Sequence, residues 1–424
     1  MQRLNDLSQI ASRLPPCPTL VLHSACAEPS RLTACLASDA ERFVGAQVYC
    51  LMPMGAAPYA HLPASGHLRV RTFFPGKGLR AAVTEGRAQL LRHPLSAIPT
   101  LFDAGEIRVD AVFLQVTPPD EHGRVSLGIS VDYMKAVLRQ KPLVVAQINP
   151  RMPRTCGDTE IDADLIDYYV ESEEGPEALL AVPPDETDRR IATQVAALIE
   201  DGAVLQVGIG ALPDLVLACL LDRRHLGIHS GIITDAVRPL MERGVIDNST
   251  KARFRGVSVT TMAAGSTSFY DFLNANSEIE FHPCSLTHAR QTLIGIEGLT
   301  AINSALQIDL AGQVNAESVA GRVVAAPGGL PDFVSGAHCA PRGRSIIALR
   351  SRFWDQSNIL AKLPAAAPVS VGGEHIDYVV TEFGVARLRG LNSVRRAEAL
   401  IGVAHPEHRA ALERELAYSR LPEA

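Results

Sequence analysis

The chain has 424 residues, too many for one ordinary domain and enough to bury two substantial cores. Its composition, 47 % hydrophobic and 20 % charged with a formal charge of −6, is that of a folded globular protein and excludes disorder. No dense basic run offers a nucleic-acid footprint, no stretch reaches the ~18 apolar residues of a membrane span, and the N-terminus lacks a signal-peptide core, so the expectation is a cytoplasmic protein without nucleic-acid or membrane partners.

In the first part of the chain, short apolar runs at Thr19–His23, Ala46–Leu51, Leu68–Phe74, Ala111–Val116 and Pro142–Ile148 read as strands, several of them continuously apolar, as in a parallel sheet covered on both faces. Glu28-Pro29-Ser30-Arg31-Leu32 follows the first run, and Pro29 marks a helix start. The alternation predicts an α/β fold. Eight cysteines are scattered without a C-x-x-C pair, which reads as reduced thiols, most of them small buried hydrophobes.

Residues 171–188 are acidic and proline-bearing, the composition of a surface linker. This places a boundary between a first domain, 1–185, and a second, 186–424. A helix over Arg189–Asp201 is expected next, with Ile191, Val195, Leu198 and Ile199 on one face and Gly202 as its stop.

The run Ala203–Val207 then leads into Gly208-Ile209-Gly210-Ala211-Leu212 and a helical stretch opening near Pro213. Glycines let backbone N–H groups approach a ligand, and a helix start favours phosphate, so a nucleotide-bearing ligand fits as well as a plain turn. Pro213 stands where a dinucleotide fingerprint would have its third glycine. A second glycine loop, Ala325–Phe333, reads either as a rigid turn or as N–H donors for a developing oxyanion, with Ala326, Gly328 and Gly329 as the candidates. Between the loops, Asp309, Gln313, Asn315 and Glu317 crowd together, as groups lining a site or satisfying buried backbone.

His225 and His229 are spaced H-x-x-x-H, but Gly227 between them and the missing H-E-x-x-H glutamate argue against a metal. Gly227-Ile228-His229-Ser230-Gly231 places its serine one position late for a nucleophile elbow, which argues against a serine hydrolase. The C-terminal stretch Arg395–Ala417 reads as an amphipathic helix with a break at Pro406.

Taken in order, several stretches resemble the acetyl-CoA hydrolase/transferase family. They are Thr-Pro-Pro-Asp-Glu-His-Gly (117–123), Ser-Leu-Gly (126–128), Asn-Pro-Arg-Met-Pro (149–153), Gln-Val-Gly-Ile-Gly (206–210), Gly-Ile-His-Ser (227–230), the run 301–317, Gly328-Gly329 with Asp332-Phe333, and the run 379–390. The resemblance spans residues 20 to 412. It implies two open, mainly parallel-sheet α/β domains of the CoA-transferase type, acyl-CoA and small carboxylic acids as substrates, a homo-oligomer, and no cofactor beyond coenzyme A as substrate or product. It maps CoA binding onto Gly208, Ile209, Gly210, Ala211 and Leu212, and onto Gly328 and Gly329.

In such transferases a glutamate attacks the thioester and carries CoA as a glutamyl thioester. The family's His-Ser-Glu is here His229-Ser230-Gly231. Likewise Ala326 stands for the first glycine of the family's G-x-G-G loop, and Gly373 for an arginine. With the glutamate gone, the resemblance points to hydrolysis of an acyl-CoA through another carboxylate, Asp235 or Glu317, each of which has a structural reading as a helix-start charge or a hydrogen-bonding buttress. Transfer through a relocated carboxylate and CoA binding without catalysis are the alternatives. His229, Glu121 and His122 are lesser candidates, since a histidine beside a strand end is more often structural.

Overall fold

The computed structural model describes residues 1–62, 68–179 and 183–419. The chain packs as two compact units, each assembled from three separated stretches. Unit 1 is Met1–Leu180, Val257–Ala289 and Val323–Gly328; unit 2 is Ala181–Gly256, Arg290–Arg322 and Gly329–Ala424.

The core of unit 1 is an eight-stranded sheet of β1 (Gln2–Arg3), β2 (Thr19–Leu22), β3 (Ala46–Cys50), β4 (Leu68–Thr72), β5 (Ala88–Leu90), β6 (Ala111–Val116), β7 (Leu143–Ile148) and β8 (Tyr168–Glu171). Their order is β1-β8-β7-β6-β2-β3-β4-β5, parallel throughout. All six residues of the central β6 are buried, whereas β4, near one edge, alternates. That gradient explains the continuous apolar runs, because a central strand covered on both faces has no solvent side. The five strands expected here form, each ending one or two residues short of or starting one after the apolar run except at Ala111–Val116. Helix α1 (Ser30–Ser38) follows β2, with Pro29 one residue ahead of its expected place, at the N-cap. A second, three-stranded parallel layer joins Cys156–Gly157, Ile279–Phe281 and Ser258–Thr260.

Unit 2 carries a six-stranded sheet of β9 (Val204–Val207), β10 (Gly227–Ile228), β11 (Leu299–Ser304), β12 (Arg344–Ala348), β13 (Tyr378–Thr381) and β14 (Gly384–Arg387), in the order β10-β9-β11-β12-β13-β14. The first five are parallel, and β14 returns antiparallel at the edge. Helix α2 (Glu186–Ala197) begins three residues before the expected Arg189. Asp185 caps it, accepting from the Asp188 N–H at 3.0 Å while the Asp188 carboxylate accepts from the Asp185 N–H at 3.2 Å. Helices α3 (Ala211–Ala218) and α4 (Leu330–Cys339) follow the two glycine loops, and α5 (Ser393–Val403) and α6 (Pro406–Ser419) replace the single C-terminal run, broken before Pro406 as its missing N–H requires.

All eight cysteines are unpaired, and among the described residues no helix is long and apolar enough to cross a membrane.

Candidate functional site

In unit 2 the strand order reverses between β9 and β11, so the connections leaving their carboxyl ends run to opposite sides of the sheet. Open parallel sheets bind ligands at such a point. Gln206 at the end of β9 and Asn303 at the end of β11 mark it with a reciprocal amide pair, Asn303 donating to Gln206 Oε1 at 2.8 Å and Gln206 donating back at 3.2 Å. Both side chains are buried, so each satisfies the other where neither reaches water.

The loop Gly208-Ile209-Gly210 leaves β9 at this point. Gly208 holds the end of the strand, its N–H donating to the Ile302 carbonyl at 3.2 Å. Gly210 has φ 120°, where a side chain is strained, although a Cβ there would meet nothing within 4 Å. Its glycine is therefore needed for conformation and not for room. Ala211 and Leu212 open α3 directly after it, half-buried, so the N–H groups of the first turn face the end of the sheet.

The next loop leaves β10. His229 is fully buried, its N–H bonded to the Leu205 carbonyl at 3.0 Å and its ring 6.4 Å from both the Phe254 and the Phe333 rings. Ser230 ties the loop down: its hydroxyl lies 3.1 Å from the Val207 carbonyl and 2.8 Å from that of Ile232, and it accepts from the Val207 N–H at 3.3 Å. Gly231 is buried beside it. The buried Lys251 ammonium donates to the Ile228 carbonyl at 2.8 Å, a feature nothing in the local sequence announces.

Asp235 opens the 3-10 turn Asp235–Val237, half-buried. The residue before it, Thr234, donates from Oγ1 to Asp214 Oδ1 at 2.6 Å. Asp214 sits in the first turn of α3, four residues past Gly210. Burial pushes its carboxyl above the usual aspartate range, the charge of Asp235 adds to the rise, and the Thr234 hydroxyl opposes it. Asp235, expected from the sequence, thus has a carboxylate partner that sequence reading missed.

The polar run after β11 resolves into hydrogen bonds that hold backbone. Asp309 Oδ1 accepts the N–H groups of Ala311 at 3.0 Å and Gln313 at 2.9 Å, closing a turn. Asn315 accepts the Glu317 N–H at 3.1 Å and donates to the Ser318 carbonyl at 2.7 Å. The Glu317 side chain is buried and accepts the Ser370 hydroxyl at 2.7 Å, while Ser370 Oγ accepts the Ala316 N–H at 3.0 Å.

Of the second glycine loop, Ala326 and Gly328 belong to unit 1 and Gly329 to unit 2. Ala326 is buried, Gly328 has φ 54° and accepts from the Leu95 N–H at 2.8 Å, and Gly329 is the residue before α4. At Gly373 the fold accounts for the missing side chain, since a Cβ would stand 2.3 Å from the Ala311 carbonyl oxygen. The Arg396 guanidinium donates to the Gly373 carbonyl instead. Glu121 and His122 are exposed in a surface turn, 3.6 Å apart, and His225 is exposed and paired with Asp247 at 2.8 Å, apart in character from buried His229.

The acetyl-CoA hydrolase/transferase N-terminal domain matches residues 2–181 and the corresponding C-terminal domain residues 265–416. The chain is 36 % identical over 419 residues to 4-hydroxybutyrate coenzyme A transferase of Clostridium kluyveri, covering 98 % of this chain and 97 % of that protein. It is 24 % identical over 383 residues to an acetyl-CoA hydrolase of Kluyveromyces lactis, covering 78 % and 72 %. The crystal structure of a 4-hydroxybutyrate CoA-transferase from Porphyromonas gingivalis superposes with a TM-score of 0.80 at 31 % identity, over 97 % of this chain and 96 % of that one.

Proposed function

The chain belongs to the acetyl-CoA hydrolase/transferase family, and from that membership we propose that it hydrolyses an acyl-CoA thioester. Relatives in the family are named both as transferases and as hydrolases, so membership gives acyl-CoA chemistry and leaves the acceptor open. The observation that carries the hydrolytic reading is Gly231. In the resemblance it stands where the family carries its glutamate, directly after His229-Ser230, whose serine hydroxyl ties the loop to the Val207 and Ile232 carbonyls.

In this reading the phosphates of CoA lie against the N–H groups of Gly208 to Leu212, where the α3 dipole favours negative charge. Asp235 takes a proton from water, the water oxygen bonds the acyl carbon, and the C–S bond breaks to release CoA thiolate, which regains a proton. Of the second glycine loop, Gly329, the residue before α4 in unit 2, is assigned to the oxyanion. Asp235 is preferred to Glu317 because it is half-buried, while Glu317 is enclosed and committed to Ser370. His229, enclosed between aromatic rings, is assigned to support the loop. The setting is the cytoplasm and the assembly a homo-oligomer.

A second reading, transfer to a small carboxylic acid through a relocated carboxylate, draws on the full-length likeness to a named transferase. The two are separated by incubating the protein with a panel of acyl-CoAs with and without carboxylate acceptors. Hydrolysis releases thiol without an acceptor. CoA exchange that requires the acceptor, with an enzyme-bound thioester trapped by hydroxylamine or borohydride, overturns the hydrolytic reading, and CoA binding without any turnover overturns both.

A further inference from the structure

Trp354 is the single tryptophan of the chain, and it is 82 % exposed. It opens the turn Trp354-Asp355 between the paired strands Arg352–Phe353 and Gln356–Ser357, with φ 52°. A hairpin turn of two residues whose first is left-handed calls for glycine at that place. The largest side chain therefore stands where the backbone prefers none, and at that exposure it gains little packing in return. A local rule broken without a packing gain is expected at a functional position. Phe353 beside it is 62 % exposed, and the two rings stack, their centroids 5.5 Å apart and their planes 12° from parallel.

The hairpin follows β12, at the carboxyl edge of the unit 2 sheet, and lies wholly within that unit. The glycine loop leaves the same edge, from β9, and β12 stands two places from β9 in the order β9-β11-β12, a lateral distance of ~10 Å at the usual strand spacing. The approach to the hairpin is held on the side of that loop. Arg350 donates to the Asp188 carboxylate at 2.9 Å and pairs with Asp185 at 2.8 Å, both at the start of α2. Helix α2 packs against α3, whose first turn carries Ala211 and Leu212. Arg352 pairs with Glu407 at 2.9 Å, so the chain entering the hairpin is anchored twice.

We propose that Phe353 and Trp354 form a stacking platform for the adenine of coenzyme A, with the nucleotide lying along the carboxyl edge of unit 2 from the N–H groups of Gly208 to Leu212 towards the hairpin. The proposal rests on the acyl-CoA reading and adds a base subsite, which glycine loops cannot supply because they offer donors and no flat apolar face. A purine is flat and uncharged and stacks well on an indole. In CoA a single ribose joins the base to the pyrophosphate, a reach of the same order as the ~10 Å between β9 and β12. The pantetheine arm and a small carboxylic acid have no ring to stack.

With one tryptophan in the chain, indole emission reports this hairpin alone. Titration with CoA and with adenosine 3′,5′-bisphosphate should quench it, and pantetheine, which lacks the nucleotide, should not. Trp354→Gly, which suits the left-handed turn, should weaken CoA binding roughly tenfold by calorimetry, and Trp354→Phe should keep most of the affinity. CoA that binds without quenching, or binds Trp354→Gly as tightly as the wild type, overturns the proposal while leaving the acyl-CoA reading intact. No calorimetric binding of CoA overturns both. Sedimentation of the wild type and Trp354→Gly should give one and the same mass. A smaller species in the variant assigns the rings to a contact between copies of the chain and overturns the platform.

Discussion

The Thr234 hydroxyl donates to the Asp214 carboxylate at 2.6 Å and so ties the residue before Asp235 to the first turn of the helix that follows the glycine loop. The bond joins residues 20 apart in sequence that leave neighbouring strands β9 and β10. A hydrogen bond to a partly buried carboxylate contributes about 1–2 kcal/mol. Thr234→Val should therefore lower the denaturant midpoint, with a larger loss at neutral than at acid pH, since a hydroxyl bonds an ionised carboxylate more strongly than a protonated one. An equal loss at both pH values counts against the charged bond.

Asp214→Asn keeps an acceptor for Thr234 and removes one of the two acidic charges. The raised Asp214 carboxyl binds its proton more tightly in the folded chain than in the unfolded one, so wild-type stability falls as pH rises from the ordinary aspartate range through the raised value. The variant should lose this part of the pH slope. Urea titrations across pH 3.5 to 7 measure it, and an unchanged slope would refute the assignment.

Glu28 gives the clearer pH signature. Its carboxyl moves from 4.5 to about 7 on folding, chiefly through burial, equivalent to about 3 kcal/mol. Folding favours the protonated form, so the native state is most stable below pH 4.5 with respect to this group and loses that stability as pH rises to about 7. Glu28→Gln, which retains an acceptor for Tyr59, should flatten stability between pH 5 and 8 and leave the mutant relatively more stable at the alkaline end.

Restoring a carboxylate by Gly231→Glu should change the reaction class. The expected gain is CoA exchange dependent on a carboxylate acceptor, with an enzyme-bound thioester visible by mass spectrometry after borohydride treatment. In contrast, Asp235→Asn in the wild-type background should lower thioester hydrolysis by about 10²–10⁴. Hydrolysis that survives this change assigns the base elsewhere.

Gly373→Ala places a methyl group 2.3 Å from the Ala311 carbonyl oxygen, an overpacking clash expected to cost about 1–3 kcal/mol. Thermal denaturation reads it directly. The arginine that the resemblance places here would require the Ala311–Gly312 turn to move.

The sheets were legible in the sequence because central strands such as Ala111–Val116 are apolar on both faces, which leaves a run that needs no partner to recognise. Boundaries were less so. The start of α2 is set by the Asp185–Asp188 capping box, a local signal that the more conspicuous apolar stripe beginning at Ile191 obscured. At the site, the glycine loop at 208–210 could be found by its residues alone, and Asp235 by its distance from Gly231. Asp214 could not, since only the parallel pairing of β9 with β10 brings Thr234 against it. Glu28 was passed over beside Pro29, which alone was read as the helix start; its buried carboxylate accepts from Tyr59, 31 residues on, a relationship with no period or spacing to betray it.

The division into units also constrains how the chain is made. Unit 1 draws its last pieces from Val257–Ala289 and Val323–Gly328, and the Ile279–Phe281 strand lies between Ser258–Thr260 and Cys156–Gly157. Residue 328 must therefore leave the ribosome before the N-terminal unit can close, which at ~5–20 residues per second is roughly twenty seconds to a minute after initiation. For that interval the eight-stranded sheet of Gln2–Glu171 is already complete in sequence while the edge at Cys156–Gly157 lacks its partner strand Ile279–Phe281. A nascent chain halted near residue 200 should be protease-sensitive around Cys156–Gly157, and one halted well beyond residue 328 should protect that segment with the rest of unit 1.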